Sequence, residues 1–373
     1  MHRGDRTVAQ STMTMLHSDT EKSAARVDQP ERADVNLELR TVMAVTDMRA
    51  ARLKASGHLV CEMVPVPHLG DSAGHVLVRT ELAAICGSDL HVVHHDMSHH
   101  DMPGPAGYPG HEGVGEVVES NDPSWRGGER VLTFPVSPAA RGFADYQLLP
   151  AAQLLPVPDG LATEHALLAQ QLGTVLFAAK RFWPVEGART VTILGAGSAG
   201  LLWLQEARRR GAELVVLSEP EPIRRAMAVD LGADVVVDSS VQTATEATLN
   251  ATDGYGADLV IDAAGYDNAR VDAAGAVAMC GTLGCFGLPE GPGLAPFPFE
   301  LLFRRRVTIH AEYGAQEEAG RMSFRAALEQ IDQGVTQVSS ILTHRFAIDR
   351  IEEAFTVANG RRDNAVKVGI DFP

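Results

Sequence analysis

The 373-residue chain has little cysteine, few aromatics and a deficit of positive charge. Its four cysteines, Cys61, Cys86, Cys280 and Cys285, do not form a disulfide-scaffold pattern, and a reducing cytoplasm is the expected setting. Lysine and arginine number 32 against 48 aspartates and glutamates, a formal charge of −16. That balance argues against a general nucleic-acid binder, which needs positive patches to displace counterions, and gives no reason to expect binding to anionic lipid. No run of about 18 apolar residues occurs, so no membrane span is expected. The N-terminus lacks the apolar core of a signal peptide. What remains is ordinary for a soluble globular protein, with 45% apolar and 21% charged residues. At about 150 residues per domain the length suggests two domains, with room for a sizeable core.

Residues 1–40 are polar, mixed in charge and without periodicity, and are expected to form a flexible arm. From Thr41 the texture changes. Apolar alternation over 43–53 and 76–79, continued by Val114, Val117 and Val118, predicts a β-rich region. After Pro158 a helix is expected over about 164–181. Strands are then expected at 190–194, 213–217, 234–237, 258–262, 282–286 and 307–311, with helices between them at 199–210, 221–231 and 268–278. Such alternation implies a parallel sheet with helices on both faces. The fold class is therefore α/β, a doubly wound sheet joined to a β-rich domain. The tail from Ser323 reads as a helix, a strand-like patch and another helix, returning to the first domain because the sheet is already complete.

Within the strand–helix region, Gly195-Ala196-Gly197-Ser198-Ala199-Gly200 follows a predicted strand and opens a predicted helix, the context a dinucleotide fingerprint requires. Gly195 suits the tight turn, Gly197 lets backbone approach a pyrophosphate, and Gly200 lets helix and strand pack closely. The N–H groups that open the helix at Ser198 and Ala199 then face the phosphates. Glu219, at the end of the next strand, is suited to the ribose hydroxyls and would repel a 2′-phosphate, which favours NAD; Arg224 and Arg225 lie near enough to leave NADP open.

Two earlier stretches carry metal-ligand chemistry. Cys86-Gly87-Ser88-Asp89-Leu90-His91 and the segment from Gly110 to Val117, containing His111 and Glu112, offer a thiolate, an imidazole and a carboxylate. Those are zinc ligands, and three of them leave a position for water or substrate. A lone cysteine is more often a small buried apolar residue and a lone histidine a hydrogen-bonded one, so the residues around them decide.

CGSDLH, GHEGVGEV, the GERV turn at Gly128–Val131, LGAGSAG, YGA at Tyr313–Ala315 and the closing AVKVGID together resemble the zinc-dependent medium-chain dehydrogenase/reductase superfamily, in its sorbitol, threonine and sugar dehydrogenase branch. The likeness runs from about Thr41 to the C-terminus. It implies a GroES-like catalytic domain at 41–172 and 313–373, interrupted by a Rossmann domain at 173–312, with the active site in the cleft between. It implies zinc ligands at Cys86, His111 and Glu112. Gln170 stands where the family usually has glutamate, as a fourth ligand or a holder of the metal-bound water. Ser88 and His91 align with the family's proton relay, and Asp89 with the carboxylate that orients the zinc-bound histidine. Thr174 is expected near the nicotinamide, Ala263, Ala264 and Gly265 on the adenosine side, and Gly287 and Leu288 at the carboxamide. No cysteine lies between Val131 and Gly142, so the four-cysteine structural zinc lobe of many relatives is expected to be missing.

The resulting expectation is a zinc enzyme moving hydride between a secondary alcohol, whether polyol, sugar, cyclitol or amino alcohol, and NAD, as a homodimer or homotetramer. A zinc-independent NADP-dependent quinone or enoyl reductase of this fold, and a non-catalytic dinucleotide-binding protein, stand as alternatives. The stretch from His91 to Met102 adds His94, His95, His99 and His100 near the expected substrate pocket, four of the five histidines being expected in solvent.

Overall fold

The computed structural model describes residues 46–136 and 139–373; the expected arm at 1–40 lies outside the described residues. Chain entry is a hairpin of β1 (Asp47–Ala55) and β2 (His58–Pro65). A seven-stranded sheet follows, built on β3 (His75–Ile85), whose buried residues Val76, Val78, Leu82 and Ala84 alternate along much of the strand. β3 pairs antiparallel with β4 (Glu112–Ser120), and β4 with β5 (Arg130–Thr133). β6 (Tyr146–Pro150) lies against β3, and β7 (Leu154–Pro156) against β5.

The second sheet draws every strand from β8 (Thr190–Leu194), β9 (Leu214–Ser218), β10 (Val235–Val237), β11 (Ala257–Asp262), β12 (Val277–Cys285) and β13 (Thr308–Ala311). All its pairings are parallel, in the order β10-β9-β8-β11-β12-β13. This is the doubly wound order, with its reversal between β8 and β11, where such sheets open a crevice for ligands. The strand and helix positions expected here are present, with β12 beginning earlier, at Val277, and helices Ala244–Ala251 and Phe299–Arg304 as additions.

The tail returns to the first sheet as expected, through β14 (Leu342–Ala347) and β15 (Lys367–Asp371), the latter antiparallel to β3. It holds one more strand than the helix–strand–helix pattern predicts. β15 hides in the sequence because it opens on a lysine and holds a glycine and an aspartate among only five residues.

Helix Thr163–Phe182 joins the two sheets. Fourteen of its twenty residues are buried, far more than one apolar stripe supplies, so it is a central strut and not a surface helix. It packs on β3, β4 and β5 and also on helices Ser198–Arg209 and Met322–Asp332. Leu167, Leu172, Val175 and Phe182 anchor it in the largest core cluster, each such side chain contributing about 1.5–3 kcal/mol when fully buried. That rigidity matters because Gln170 and Thr174 on this helix face the cleft.

Candidate active site

Sheet register explains how residues distant in sequence meet. Ala84 on β3 pairs with Glu112 on β4, and Ile85 pairs with Val368 on β15. Cys86 just beyond β3, Glu112 at the start of β4 and Lys367 at the start of β15 therefore arrive at the same end of the sheet. One ligand atom from each of Cys86, His111 and Glu112 lies within 4.8 Å of the other two, and among the described residues this is the one such group of three.

Asp89 orders this corner. Cys86 is the N-cap of helix Gly87–His94, and its backbone N–H donates to Asp89 Oδ2 at 2.8 Å. The other oxygen of Asp89 sits 3.1 Å from His111 Nδ1. An ionised carboxylate only accepts, so Nδ1 carries a proton, which leaves Nε2 as the nitrogen that can bind a ligand. Ser88 Oγ lies 3.4 Å from that Nε2. Burial works against charge on His111, but Asp89 and Cys86 overcome it and hold the pKa well above the ordinary histidine value, so without a metal Nε2 carries a proton too, which a cation bound there would displace.

Lys367 is a site residue that the sequence reading did not single out. It is 3% exposed, and its Nζ lies 2.6 Å from Glu112 Oε2. Burial opposes its charge, but Glu112 and Cys86 outweigh that and raise its pKa. Lys367 meets Oε2 alone, and Glu112 Oε1 is buried with no partner. The signal was present in the sequence as a lysine amid the apolar residues Val366, Val368 and Ile370, a position where a charge needs a buried partner.

The corner opens into a cavity of about 700 Å³. Ser88, Asp89, His91, Gln170 and Thr174 line it beside the three candidate ligands. Thr174 Oγ1 donates to the Gln170 carbonyl, and both residues are buried. His91 Nδ1 is buried without a partner, and burial together with neighbouring His95 holds the His91 pKa below its ordinary value. Of the histidine-rich stretch, His91, His95 and His99 line the cavity and only His95 and His99 are exposed. His94 packs toward Phe355 and His100 meets Tyr108 edge-on, so two side chains expected in solvent are half-buried.

At its other end the cavity is lined by Gly197, Ser198, Ala199, Arg224, Ala263, Ala264, Gly265, Gly287 and Leu288. Gly195, at φ +94°, makes the turn, and a Cβ on Gly200 would lie 1.9 Å from the Gly195 carbonyl oxygen. Those two glycines shape the loop from behind and do not line the cavity. The loops after β11 and β12 also touch by backbone, since a Cβ on Gly265 would lie 2.0 Å from the Leu288 carbonyl oxygen. Asp262 fixes this crossing. Its carboxylate accepts from the N–H groups of Ala264 and Gly265, and its carbonyl from those of Phe286 and Gly287. Burial raises the Asp262 pKa against the pull of those N–H groups and Arg270. Glu219 also stays out of the cavity lining, because its carboxylate is engaged by the N–H groups of Ala196 at 2.7 Å and Glu221 at 3.0 Å. Arg225 turns away to the Glu219 carbonyl and Asp238, whereas Arg224 faces the cleft.

Comparison with known proteins agrees with this architecture. Residues 72–159 match the family model for the alcohol dehydrogenase GroES-like domain, and residues 199–333 that for zinc-binding dehydrogenase. The L-threonine 3-dehydrogenase of Pyrococcus horikoshii is 27% identical over 354 residues, covering 86% of this chain and 99% of that protein. The L-threonine 3-dehydrogenase of Rhizobium rhizogenes is 29% identical over 342 residues, covering 83% of this chain and 94% of the relative. Among solved structures, an oxidoreductase/dehydrogenase of unknown specificity from Escherichia coli superposes with a TM-score of 0.76 at 25% identity, over 88% of this chain and 99% of that one. The two family models together match more than half of the chain, in the order the cleft requires, and the chain belongs to the zinc-binding medium-chain dehydrogenase/reductase superfamily.

Proposed function

We propose that the protein is a zinc-dependent dehydrogenase that oxidises a secondary alcohol with NAD, or runs the reverse reduction. The observation that carries this reading is the gathering of Cys86, His111 and Glu112 within ligand distance of each other, in the same cavity that Gly197 and Ser198 line.

The donor set suits zinc. It combines a sulfur, an imidazole nitrogen oriented by Asp89, and a carboxylate whose Oε1 is buried without a partner. A buried acceptor without a donor is costly, and a cation offsets that cost. Gln170 is suited to be a fourth ligand or to hold water there. Zinc supplies Lewis acidity toward the substrate oxygen, and NAD accepts a hydride from the adjoining carbon. The chain's own residues handle the proton. Ser88 takes it from the substrate hydroxyl, and His91, kept neutral near neutral pH by burial, is the acceptor on the way to solvent. Asp89 keeps His111 oriented, and Thr174 with the 287–288 loop frames the nicotinamide.

Glu219 supports NAD over NADP, since it keeps a negative charge directly beside the glycine turn, bonded to the Ala196 N–H. Arg224 keeps the phosphorylated cofactor as the variant to test. Relatives named as L-threonine 3-dehydrogenases put amino alcohols first among the polyols, sugars and cyclitols to be tried. A homodimer or homotetramer belongs to the same reading, supported by β13 at the sheet edge with Ile309 exposed, and by exposed Phe299 and Phe303 on the preceding helix. A reducing cytoplasm fits four cysteines that are all unpaired.

The test is an alcohol screen with NAD and NADP separately, on protein of measured zinc content. The expected result is NAD-linked oxidation of a secondary alcohol that scales with zinc. Full turnover by zinc-free protein overturns the proposal.

A further inference from the structure

Helix Thr163–Phe182 turns one row of side chains to the cavity and the next row to the core. Gln170, Thr174, Phe177 and Arg181 line the cavity, at the three- and four-residue spacing of a single helix face. The neighbouring row runs through Leu167, Gln171, Val175, Ala178 and Phe182. Its four apolar members are fully buried in the largest core cluster. Gln171 breaks that row.

An apolar side chain would complete the row at no cost in hydrogen bonds. Gln171 instead is 9% exposed, and its Oε1 is buried with no partner. An unpaired buried acceptor destabilises a fold, whereas leucine or methionine at that position would not. The compensation lies in where the residue sits, since Gln171 lines the same cavity as Gln170 and the candidate metal ligands. A ligand that brings a donor to Oε1 removes the defect. The ligand group is not an anion, because the cations of the cavity wall are already engaged. Lys367 is paired with Glu112 and Arg181 with Glu312. Arg224 donates to the Ala365 carbonyl and Arg361 to the Tyr266 hydroxyl. Gln170 and Gln171 have Cα atoms about 3.8 Å apart, and their side chains diverge by about 100° around the helix axis. Two groups only a few bonds apart on one small molecule can therefore reach the metal corner and Gln171 together.

We propose that Gln171 determines substrate specificity, its amide oxygen accepting a hydrogen bond from a second donor, a hydroxyl or an ammonium group, carried close to the reacting carbinol carbon. This rests on the dehydrogenase reading above and deepens it. A site built to hydrogen-bond a second group rejects the analogue that lacks it, because the buried acceptor is then left unpaired. The residue thus weakens the empty fold and discriminates between bound alcohols.

The experiment compares the wild type with Gln171→Leu and Gln171→Met, using full-length protein loaded with zinc and supplied with NAD. The substrates are isopropanol, propylene glycol and isopropanolamine, which share one secondary carbinol and differ in the group next to it. Loss of one hydrogen bond to a buried acceptor predicts that kcat/KM for the glycol or the amine falls about tenfold in both variants, while that for isopropanol holds. A fall confined to propylene glycol identifies the hydroxyl as the donor, and one confined to isopropanolamine identifies the ammonium. Equal change for all three alcohols, or none, overturns the assignment. Melting of the substrate-free protein is the second measurement. Both variants should melt about 2–4 °C above the wild type, since the orphaned acceptor is gone. Variants that melt no higher show that Oε1 is satisfied within the fold, which also overturns the proposal. Wild-type protein that oxidises none of the three alcohols counts against the dehydrogenase reading instead, and the melting comparison then decides on Gln171 alone.

Discussion

On the parallel-sheet side of the cleft, the wall is built largely from backbone. Gly195 and Gly200 fold a turn so tight that no side chain fits inside it, and Gly265 and Leu288 cross main chain against main chain. On the other side it is built from side chains carried by three strand ends, Cys86, Glu112 and Lys367, aligned by register and braced by Asp89. Backbone sites depend on small residues at fixed local spacing. Side-chain sites depend on charge balance between distant segments. The two sides should therefore fail in different and separable ways.

The largest separation is expected from Cys86→Ser. Losing a soft sulfur ligand removes zinc, and with it the several kcal/mol of charge stabilisation a Lewis acid supplies, so turnover falls about a thousandfold or more. NADH affinity stays near the wild-type value because no glycine loop has changed. Zinc content by atomic absorption and NADH titration on one preparation check both parts. Joint loss of zinc and NADH binding would break the comparison.

The same contrast explains what the sequence made legible. The glycine fingerprint is contiguous and lies between a strand and a helix, so its loop could be read locally. Cys86, His111 and Glu112 also stood out, because a family resemblance supplied the long-range pairing that spacing does not. Lys367 had no such help. Its role depends on β15 lying antiparallel to β3, and its charge disguised the strand that carries it. Asp262 escaped for a related reason, since an aspartate that ends a strand looks like an ordinary surface end until the loops it touches are known. Glu219 shows the converse. Its position was legible, but the grip of two backbone N–H groups on its carboxylate was not.

Lys367→Met sharpens the side-chain half of the comparison. It leaves Glu112 buried with no cationic partner, and breaking a buried pair from one side costs about 3–5 kcal/mol. Metal-free protein should melt roughly 10 °C lower, at about 2–4 °C per kcal/mol for a chain of this class. Added zinc should recover much of that loss, because it offers Glu112 another positive charge. Lys367→Arg should stay near the wild type. Calorimetry with and without zinc is the measurement, and a metal-free Lys367→Met protein that melts normally would show that Glu112 is satisfied by some other group.

Gly197→Ala tests the backbone half with the smallest change. Gly197 is the N-cap of its helix at φ −63°, a conformation alanine adopts readily. The added methyl would meet nothing nearer than Arg224 Nη1 at 3.9 Å, in contrast to Gly200, where it would strike a carbonyl oxygen. Folding should therefore change by only about 1 kcal/mol, the difference between glycine and alanine at an N-cap. The methyl does project into the cavity, where a pyrophosphate must come close to the helix N-terminus. NADH affinity should drop about tenfold while zinc content and melting stay close to those of the wild type, since one crowded charged hydrogen bond is worth roughly that factor. If NADH binds Gly197→Ala as tightly as the wild type, the phosphate does not lie against this turn, and recognition on the parallel-sheet side would have to come from side chains such as Arg224 after all.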